Sequence, residues 1–272
     1  MQTPPGDSVA LPTLPAVPLV VDKDEREYVM GLEKGLLIIE AFGVLRGPAT
    51  LTRLAEFTGH SKASVRRSLL TLCRLGFAVQ TGREFQLAPR ALRLGHAFVV
   101  SDRLTRVVQP ILEMVSERTR ESASIAVLDA QDVVFVARST HRRSLSTGLG
   151  AGARLPVYCS ATGRVLLSGR QREEVEFLLN RMSRPALTPH TRTALPDILE
   201  AIERARSQGY ATCDEELELG LRSIAVPVRS ASGELLAAMS LSVATSRMTL
   251  EEAVRELVPE LELGRRQLSP LL

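Results

Sequence analysis

Apolar and polar positions follow two different periods along the 272 residues of this chain. Between Tyr28 and Arg90 the period is mostly helical. In "GLEKGLLIIEAFGVL", Leu32, Leu36, Ile39 and Gly43 recur at helical spacing, and Arg46-Gly47-Pro48 ends the run. Thr50 is placed to cap a second, short helix, "LTRLAEFTG", with Leu51, Leu54 and Ala55 inward and Gly59 as its C-terminal stop. Ser61 is placed to cap a third, which runs to about Leu75 and is closed by Gly76. "FAVQTGREFQLAP" then changes to period two around Thr81-Gly82-Arg83, the signature of a hairpin. The predicted order is helix, helix, turn, helix, hairpin.

Residues Leu92 to about Glu121 read as helical, with Pro110 at a break or in the first turn of a new helix. "SASIAVLD" and "DVVFVARST" read as strands around a turn, followed by the Gly-rich "STGLGAGARLP" and a helix from about Ser160. Further helices are predicted in "REEVEFLLNRM" and "LPDILEAIERARSQG", the second burying Ile198, Ala201, Ile202 and Ala205. "GYATCDE" and "SIAVPVRSASGELLAAMSLSVAT" supply strands, the latter turned at Ser232-Gly233, and a closing helix starts at Thr249. This mixture predicts an antiparallel or mixed sheet with helices packed on it. Residues 1 to about 26, where Pro alternates with small residues, have neither period and read as a disordered leader.

Composition narrows the class. The chain is long enough for two ordinary domains, and with no Trp and three Tyr its cores must be mainly aliphatic. No apolar run reaches the roughly eighteen residues of a membrane span, and the N-terminal stretch lacks the basic start and apolar core of a signal peptide, so a cytoplasmic protein without a membrane partner is expected. Cys73, Cys159 and Cys213 are far apart and in no CxxC pair, and His60, His96, His141 and His190 are equally scattered, which argues against a disulfide framework or a structural zinc site.

Net charge is only +3, but its distribution is uneven. Residues 28–95 carry ten Lys and Arg against four Glu, whereas residues 1–27 are net negative. Four of those cations, Lys62, Arg66, Arg67 and Arg74, lie on the third helix. A helical projection puts Val65, Leu69, Leu72, Cys73 and Gly76 on one side and Ala63, Ser64, Arg67, Thr71 and Arg74 on the other. Small residues near the start of such a face let a backbone approach a DNA groove, and Arg, Ser or Lys then reaches base edges or phosphates. Arg83 at the hairpin tip is placed to lie along a phosphate backbone or enter a minor groove. A basic helix face alone is usually a solvated surface. Together with the preceding capped helix, the Gly59 turn, the hairpin and the segregated charge, it predicts a winged helix-turn-helix whose DNA-contacting candidates are Lys62, Ala63, Ser64, Arg66, Arg67, Thr71, Arg74 and Arg83.

"GLEKGLLIIEAF", "LTRLAEFTGHSKASVRRSLLTLCRLGFA" and "FQLAPRALRLGHAF" resemble the N-terminal half of the IclR family of bacterial transcription regulators. "ESASIAVLDAQDVVFVARS", "LPVYCSATGRVLLS" and "GLRSIAVPVRSASGELLAAMSLSV" resemble its C-terminal effector domain. More narrowly, "APRALRLGHAFVVSDRL" and "LPVYCSATGRVLL" are similar to the branch that controls protocatechuate and 4-hydroxybenzoate breakdown. The resemblance implies an α+β chain: an N-terminal winged helix-turn-helix plus an IclR-type, GAF-like effector domain with a mixed sheet and packed helices. It divides the sequence into a leader (1–27), a DNA-binding domain (28–90), a linker helix (91–108) and an effector-binding domain (109–272). It implies a palindromic double-stranded DNA operator, a small organic acid effector, self-association as a homodimer or homotetramer and RNA polymerase as a further partner. It implies no cofactor, no metal and no catalytic residue.

In "ARLPVYCSATGRVLLS" Cys159 or Ser160 can cap a helix whose first turn is small, and the backbone N–H groups of such a start suit a carboxylate as well as they suit ordinary capping. The resemblance adds the effector positions Leu155, Ala161, Thr162, Cys213, Asp214, Ser223, Ser240 and Ser242. Ser240 and Ser242 alternate with Leu241, so both hydroxyls share one sheet face. Where glyoxylate-type members have an acidic residue this chain has Cys213, followed by Asp214, and where they have a Cys before "IAA" it has Ser223, which favours a larger aromatic acid over glyoxylate or pyruvate. Other readings stay open: an IclR-type regulator of a glyoxylate or acetate pathway, a small-molecule α/β enzyme with an N-terminal oligomerisation module, and a redox sensor working through Cys159.

Three enzyme-like features read as structural. Gly148 to Ala153 satisfies G-x-G-x-x-A, but Leu155-Pro156 argues against the helix a dinucleotide loop requires, so a turn is expected. Cys159 with His141 lacks a third group that would make them nucleophile and base. The carboxylates of "DEELELG", Asp214, Glu215, Glu216 and Glu218, have no His beside them and read as a solvated acidic loop.

Overall fold

A computed structural model describes residues 28–45, 47–101, 103–140 and 150–272. The chain divides into two compact units, the first ending at Ala97 and the second spanning Phe98–Leu272. The leader expected over residues 1–27 lies outside the described residues.

In the first unit α1 (Met30–Leu45), α2 (Leu51–Thr58) and α3 (Lys62–Arg74) pack around Ile38, Phe42, Leu54, Val65, Leu69 and Phe85. The caps fall where the sequence places them: Thr50 Oγ1 accepts the N–H of Arg53, Ser61 Oγ accepts that of Ser64, and Gly59 ends α2 in the left-handed region at φ 68°. Strands β2 (Ala78–Thr81) and β3 (Glu84–Leu87) form the expected hairpin around Gly82. A two-residue strand, β1 (Ala49–Thr50), adds to the hairpin through Ala49 opposite Phe85. The face of α1 differs from expectation: Ile38, Ala41, Phe42 and Leu45 are buried, while Leu32 and Leu36 are exposed. Apolar residues surround this helix on nearly every side, so spacing alone does not choose the inward stripe.

A single linker helix was expected over 91–108, with Pro110 at a break or a start. Helix is described over α4 (Leu92–Ser101) and α5 (Arg103–Thr119), and Pro110 lies inside the second rather than at a break or a start. The proline costs α5 one backbone hydrogen bond rather than its continuity.

Among the described residues the second unit has six strands: β4 (Ser122–Asp129), β5 (Asp132–Ser139), β6 (Arg154–Pro156), β7 (Ala211–Asp214), β8 (Leu221–Arg229) and β9 (Leu235–Ala244). Their order is β6-β5-β4-β9-β8-β7 and every pairing is antiparallel, so the sheet is the antiparallel one of the two types the sequence allowed. Helices α6 (Ala161–Ser168), α7 (Arg172–Asn180) and α8 (Leu195–Gln208) make the layer on one face. On the other face α5 packs with α9 (Leu250–Leu268) over Ile125, Ile224, Met239 and Leu241. Ile198, Ala201, Ile202 and Ala205 are the buried face of α8 as expected, and the closing helix α9 begins at Leu250 with Thr249, the expected start, as its cap.

Glu121, between α5 and β4, is 2 % exposed, and Arg247 Nη1 stands 2.7 Å from its Oε1. Burial outweighs the neighbouring charge and pushes this carboxyl from 4.5 up to about 7. The folded chain therefore holds a proton that the unfolded chain has released, and stability falls as pH rises between those two values. Glu121→Gln should flatten the decline in melting temperature that the parent protein shows between about pH 5 and 7.5; an equally steep decline in the variant would refute the assignment.

Candidate functional site

Helix α3 is held by Val65, Leu69 and Leu72, which leaves Lys62, Ala63, Arg66, Arg67, Thr71 and Arg74 exposed along its other side. Ser64 departs from the face predicted for it. It is 9 % exposed, because with Ser68 and Leu72 it forms a strip turned toward Leu32 and Leu36 of α1. Leu70, whose apolar character gives no sign of a surface role in the sequence, is 41 % exposed and stands between Arg66, Arg67 and Arg74 on that side. Arg83, exposed at the hairpin tip, shares a groove with Arg66, Leu70, Gln80, Thr50 and Thr52. The pairing of β1 with β3 fixes the hairpin beside the start of α2, and so sets the width of this groove.

In the second unit a cavity of about 270 Å³ lies between the sheet and the start of α6. Five of the eight predicted effector residues line it: Leu155, Thr162, Ser223, Ser240 and Ser242. The sheet register explains the hydroxyls. Ser223 stands opposite Ser242, and Ala225 opposite Ser240, so these side chains share the face that α6 covers. Phe135 of β5 supplies an aromatic wall, and Pro156, Leu187, Leu217 and Leu221 complete an apolar lining with Glu218 as its charged member. Phe135 is legible in the alternation of "DVVFVARST"; Leu187 and Leu217 lie in loops without a period and carry no such signal.

Ser160 is the cap of α6: its Oγ accepts the N–H of Gly163 at 3.1 Å and donates to the carbonyl of Pro156 at 2.9 Å. The N–H groups of Ala161 and Thr162 have no acceptor within the helix and carry the positive end of its dipole. The combination of one ring-sized apolar space, hydroxyls on one wall and a helix start on another suits a small acid with an apolar body.

Residues 31–82 match the IclR helix-turn-helix domain, and residues 96–269 match the C-terminal domain of the bacterial transcriptional regulator IclR. The chain belongs to the IclR family. It is 37 % identical over 243 residues to the Pca regulon regulatory protein of Pseudomonas putida, covering 89 % of this chain and 84 % of that one. It is 36 % identical over 251 residues to the p-hydroxybenzoate hydroxylase transcriptional activator of Acinetobacter baylyi, covering 90 % and 93 %. Its fold matches the crystal structure of an IclR homolog complexed with 4-hydroxybenzoate from Microbacterium hydrocarbonoxydans, with a TM-score of 0.76 and 26 % identity over 89 % of this chain and 98 % of that one. IclR proteins are transcriptional regulators, and the resemblance read from the sequence to the protocatechuate and 4-hydroxybenzoate branch agrees with these relatives.

Within this IclR effector domain three predicted residues stand outside the cavity lining. Ala161 is 1 % exposed and packs in the core under the helix. Cys213 stands opposite Ser223 and so shares the cavity's sheet face, but its thiol donates to the carbonyl of Cys159 at 3.1 Å. Asp214 lies opposite Arg222, on the face toward α9, and takes a hydrogen bond from Arg222 Nε at 2.8 Å. One step along the strand has turned it away. The acidic loop also needs correction: Glu216 is 2 % exposed and accepts a hydrogen bond from Arg164 at 2.6 Å, so it is a buried ion-pair member rather than a solvated carboxylate.

The enzyme-like features behave structurally where they are described. Gly148, Leu149 and His141 lie outside the described residues, and Gly150 to Ala153 lead directly into β6 rather than into a helix. Cys159 is fully buried, and burial together with Cys213 pushes its thiol up to about 12, which leaves almost no thiolate for nucleophilic or redox chemistry at neutral pH. Among the described residues no His, Cys, Asp and Glu group is placed to hold a metal ion, and no helix is long and apolar enough to cross a membrane.

The start of α6 is a close approach. A Cβ on Gly163 would stand 2.1 Å from the carbonyl oxygen of Val157. Gly163→Ala should therefore destabilise the protein by at least about 2 kcal/mol in chemical denaturation, since the neighbouring backbone cannot yield as a side chain would. A loss no larger than that of an ordinary exposed substitution would show that α6 can shift.

Proposed function

We propose that this IclR-family protein is a ligand-responsive regulator that binds a palindromic operator through α3 and the β2–β3 hairpin and senses a small aromatic acid such as protocatechuate or 4-hydroxybenzoate. The observation that carries the effector reading is the cavity under α6. Its volume of about 270 Å³ is at the low end of ligand pockets, its body is apolar with Phe135 as one wall, and its polar groups are hydroxyls beside a helix N-terminus. Glyoxylate or pyruvate would leave most of that apolar lining unused. The relatives named as the Pca regulon regulatory protein and the p-hydroxybenzoate hydroxylase transcriptional activator, and the homolog crystallised with 4-hydroxybenzoate, support the same class.

On the DNA side the reading rests on Lys62, Ala63, Arg66, Arg67, Thr71 and Arg74 exposed on one helix, with Arg83 across the groove. Leu70 among the arginines is the kind of apolar group that meets a thymine methyl. Two copies reading two half-sites give specificity that one helix cannot, and exposed Leu92, Leu94, Phe98, Val99 and Val100 on α4 support self-association. The domain limits inferred from the sequence, 28–90 for DNA and 109–272 for the effector, belong to the same proposal.

The decisive experiment is a mobility-shift assay on the DNA flanking the protein's own gene, with and without protocatechuate, 4-hydroxybenzoate, glyoxylate and pyruvate. A specific shift altered by an aromatic acid is expected. A response confined to the short 2-oxo acids would replace the aromatic reading, and the absence of salt-dependent duplex binding would overturn the regulator reading itself. Arg67→Ala and Arg74→Ala should each weaken operator binding about tenfold with acid binding unchanged. Arg83→Ala should weaken all duplexes alike and make the salt slope shallower by about one, where a sequence-selective loss would place it on base edges instead.

A further inference from the structure

Behind the cavity, and outside its lining, lies an ion pair buried on both sides. Arg164, on the first turn of α6, is 1 % exposed and Glu216 is 2 % exposed. Arg164 Nη2 donates to Glu216 Oε2 at 2.6 Å, and Nη1 donates to the carbonyl of Thr212 at 2.7 Å. Burial works against the guanidinium charge, and the hydrogen bond and charge of Glu216 outweigh it. Buried pairs of this kind often add little to stability compared with apolar packing, so what they hold in place has to be asked of each one.

Glu216 holds more than Arg164. Its Oε2 also accepts the backbone N–H of Arg192 at 3.2 Å. Thr188 Oγ1 donates to the carbonyl of Glu215 and Thr191 Oγ1 to that of Glu216, both at 2.6 Å. Thr191 Oγ1 in turn accepts the N–H of Leu187 at 3.0 Å. At the other end Glu215, in the left-handed region at φ 56°, closes its own loop: its Oε1 accepts the N–H of Gly220 at 2.7 Å and its N–H donates to the carbonyl of Leu221 at 2.9 Å. Three segments therefore meet at one carboxylate. Helix α6 brings Ser160 and Thr162 to the cavity, segment 187–192 brings Leu187, and segment 215–221 brings Leu217, Glu218 and Leu221.

We propose that the Arg164–Glu216 ion pair is the positioning element that holds both loops over the acid cavity against α6, so that affinity and size selectivity depend on a pair that does not itself line the cavity. The proposal rests on the reading that the cavity takes an aromatic acid. The pair acts through Leu187, Leu217 and Leu221: with it intact the two loops form one wall with the helix, and with it broken they move independently of the helix.

The test uses the full chain with Glu216→Gln, beside Leu261→Ala, a buried change in the α9 layer on the opposite face of the sheet. Hydrogen exchange without ligand should speed up in 187–192 and 215–221 together in Glu216→Gln and in neither segment in Leu261→Ala. Affinity for 4-hydroxybenzoate, by calorimetry, should fall tenfold or more in Glu216→Gln, with the preference over the bulkier 2-naphthoate reduced, and stay within twofold in Leu261→Ala. Unchanged loop exchange in Glu216→Gln, or equal losses of affinity in the two variants, would overturn the proposal. Should Glu216→Gln not fold, Thr191→Val decides in its place: it leaves the ion pair and removes the Thr191 hydroxyl's bond to the carbonyl of Glu216, one of the ties between segment 187–192 and Glu216, and it should speed exchange there and weaken 4-hydroxybenzoate threefold or more, with no change in either counting against the idea. If the parent protein binds neither acid, the ligand reading fails, and loop exchange alone decides whether the pair positions the loops.

Discussion

Helix α6 is buried along its whole length, and that constraint organises the effector unit. Each of its eight residues is buried, so no side of the helix is left to water. Every polar group it carries needs an internal partner. Ser160 meets the first-turn N–H of Gly163, Ser168 folds back on the carbonyl of Val165, and the two terminal nitrogens of Arg164 are met by Thr212 and Glu216, while its Nε has no hydrogen-bond partner among the described residues. The one position where a backbone comes too close for any side chain is glycine, Gly163 against Val157. A helix held this closely presents its N-terminus to the cavity in a fixed direction, and a fixed direction is what lets two N–H groups and a few hydroxyls select for an acid.

The sheet beneath it is divided by face rather than by strand. Along β8 and β9, Ile224, Val226, Met239 and Leu241 point into the layer under α5 and α9, whereas Ser223, Ser240 and Ser242 point toward α6. Ser122 of β4, opposite Ser242, continues that row, and its hydroxyl is buried without a hydrogen-bond partner among the described residues. Both faces carry an apolar core, but only the α6 face interrupts it with this row of hydroxyls at the cavity. The same parity sends Asp214 to the α9 side while its neighbour Cys213 stays on the cavity side.

Local signals are legible in the sequence because each is settled within a few residues. The caps Thr50, Ser61, Ser160 and Thr249, the stop at Gly59 and the turns at Gly82 and Gly233 need nothing from the rest of the chain. Helix α3 was legible for the same reason, since its polar and apolar sides differ sharply. Where a residue's place depends on a distant partner, the pattern was silent. Ser64 is polar and its spacing places it on the exposed face, but it is buried where α3 packs beside α1. Helix α1 is apolar nearly all round, so its inward stripe was settled by α2 and α3 rather than by spacing. Of the cavity, the residues on strands and on the helix start were accessible to alternation and capping arguments, and those brought by the loops at Leu187 and Leu217 were not.

Glu216 shows why the last part stays hidden from a linear reading. Its segment, "DEELELG", is the most acidic short stretch of the effector unit and follows every rule for a solvated loop. What reverses that expectation is Arg164, 52 residues earlier, on a helix whose other residues are small or apolar. A lone arginine on such a helix can be buried only if an anion reaches it, and a carboxylate in such a loop is drawn inward only if a cation awaits it. Neither residue's burial can be inferred without the other. The two are therefore one structural decision, made when α6 docks on the sheet, and the loops at 187–192 and 215–221 take their places as a consequence of it.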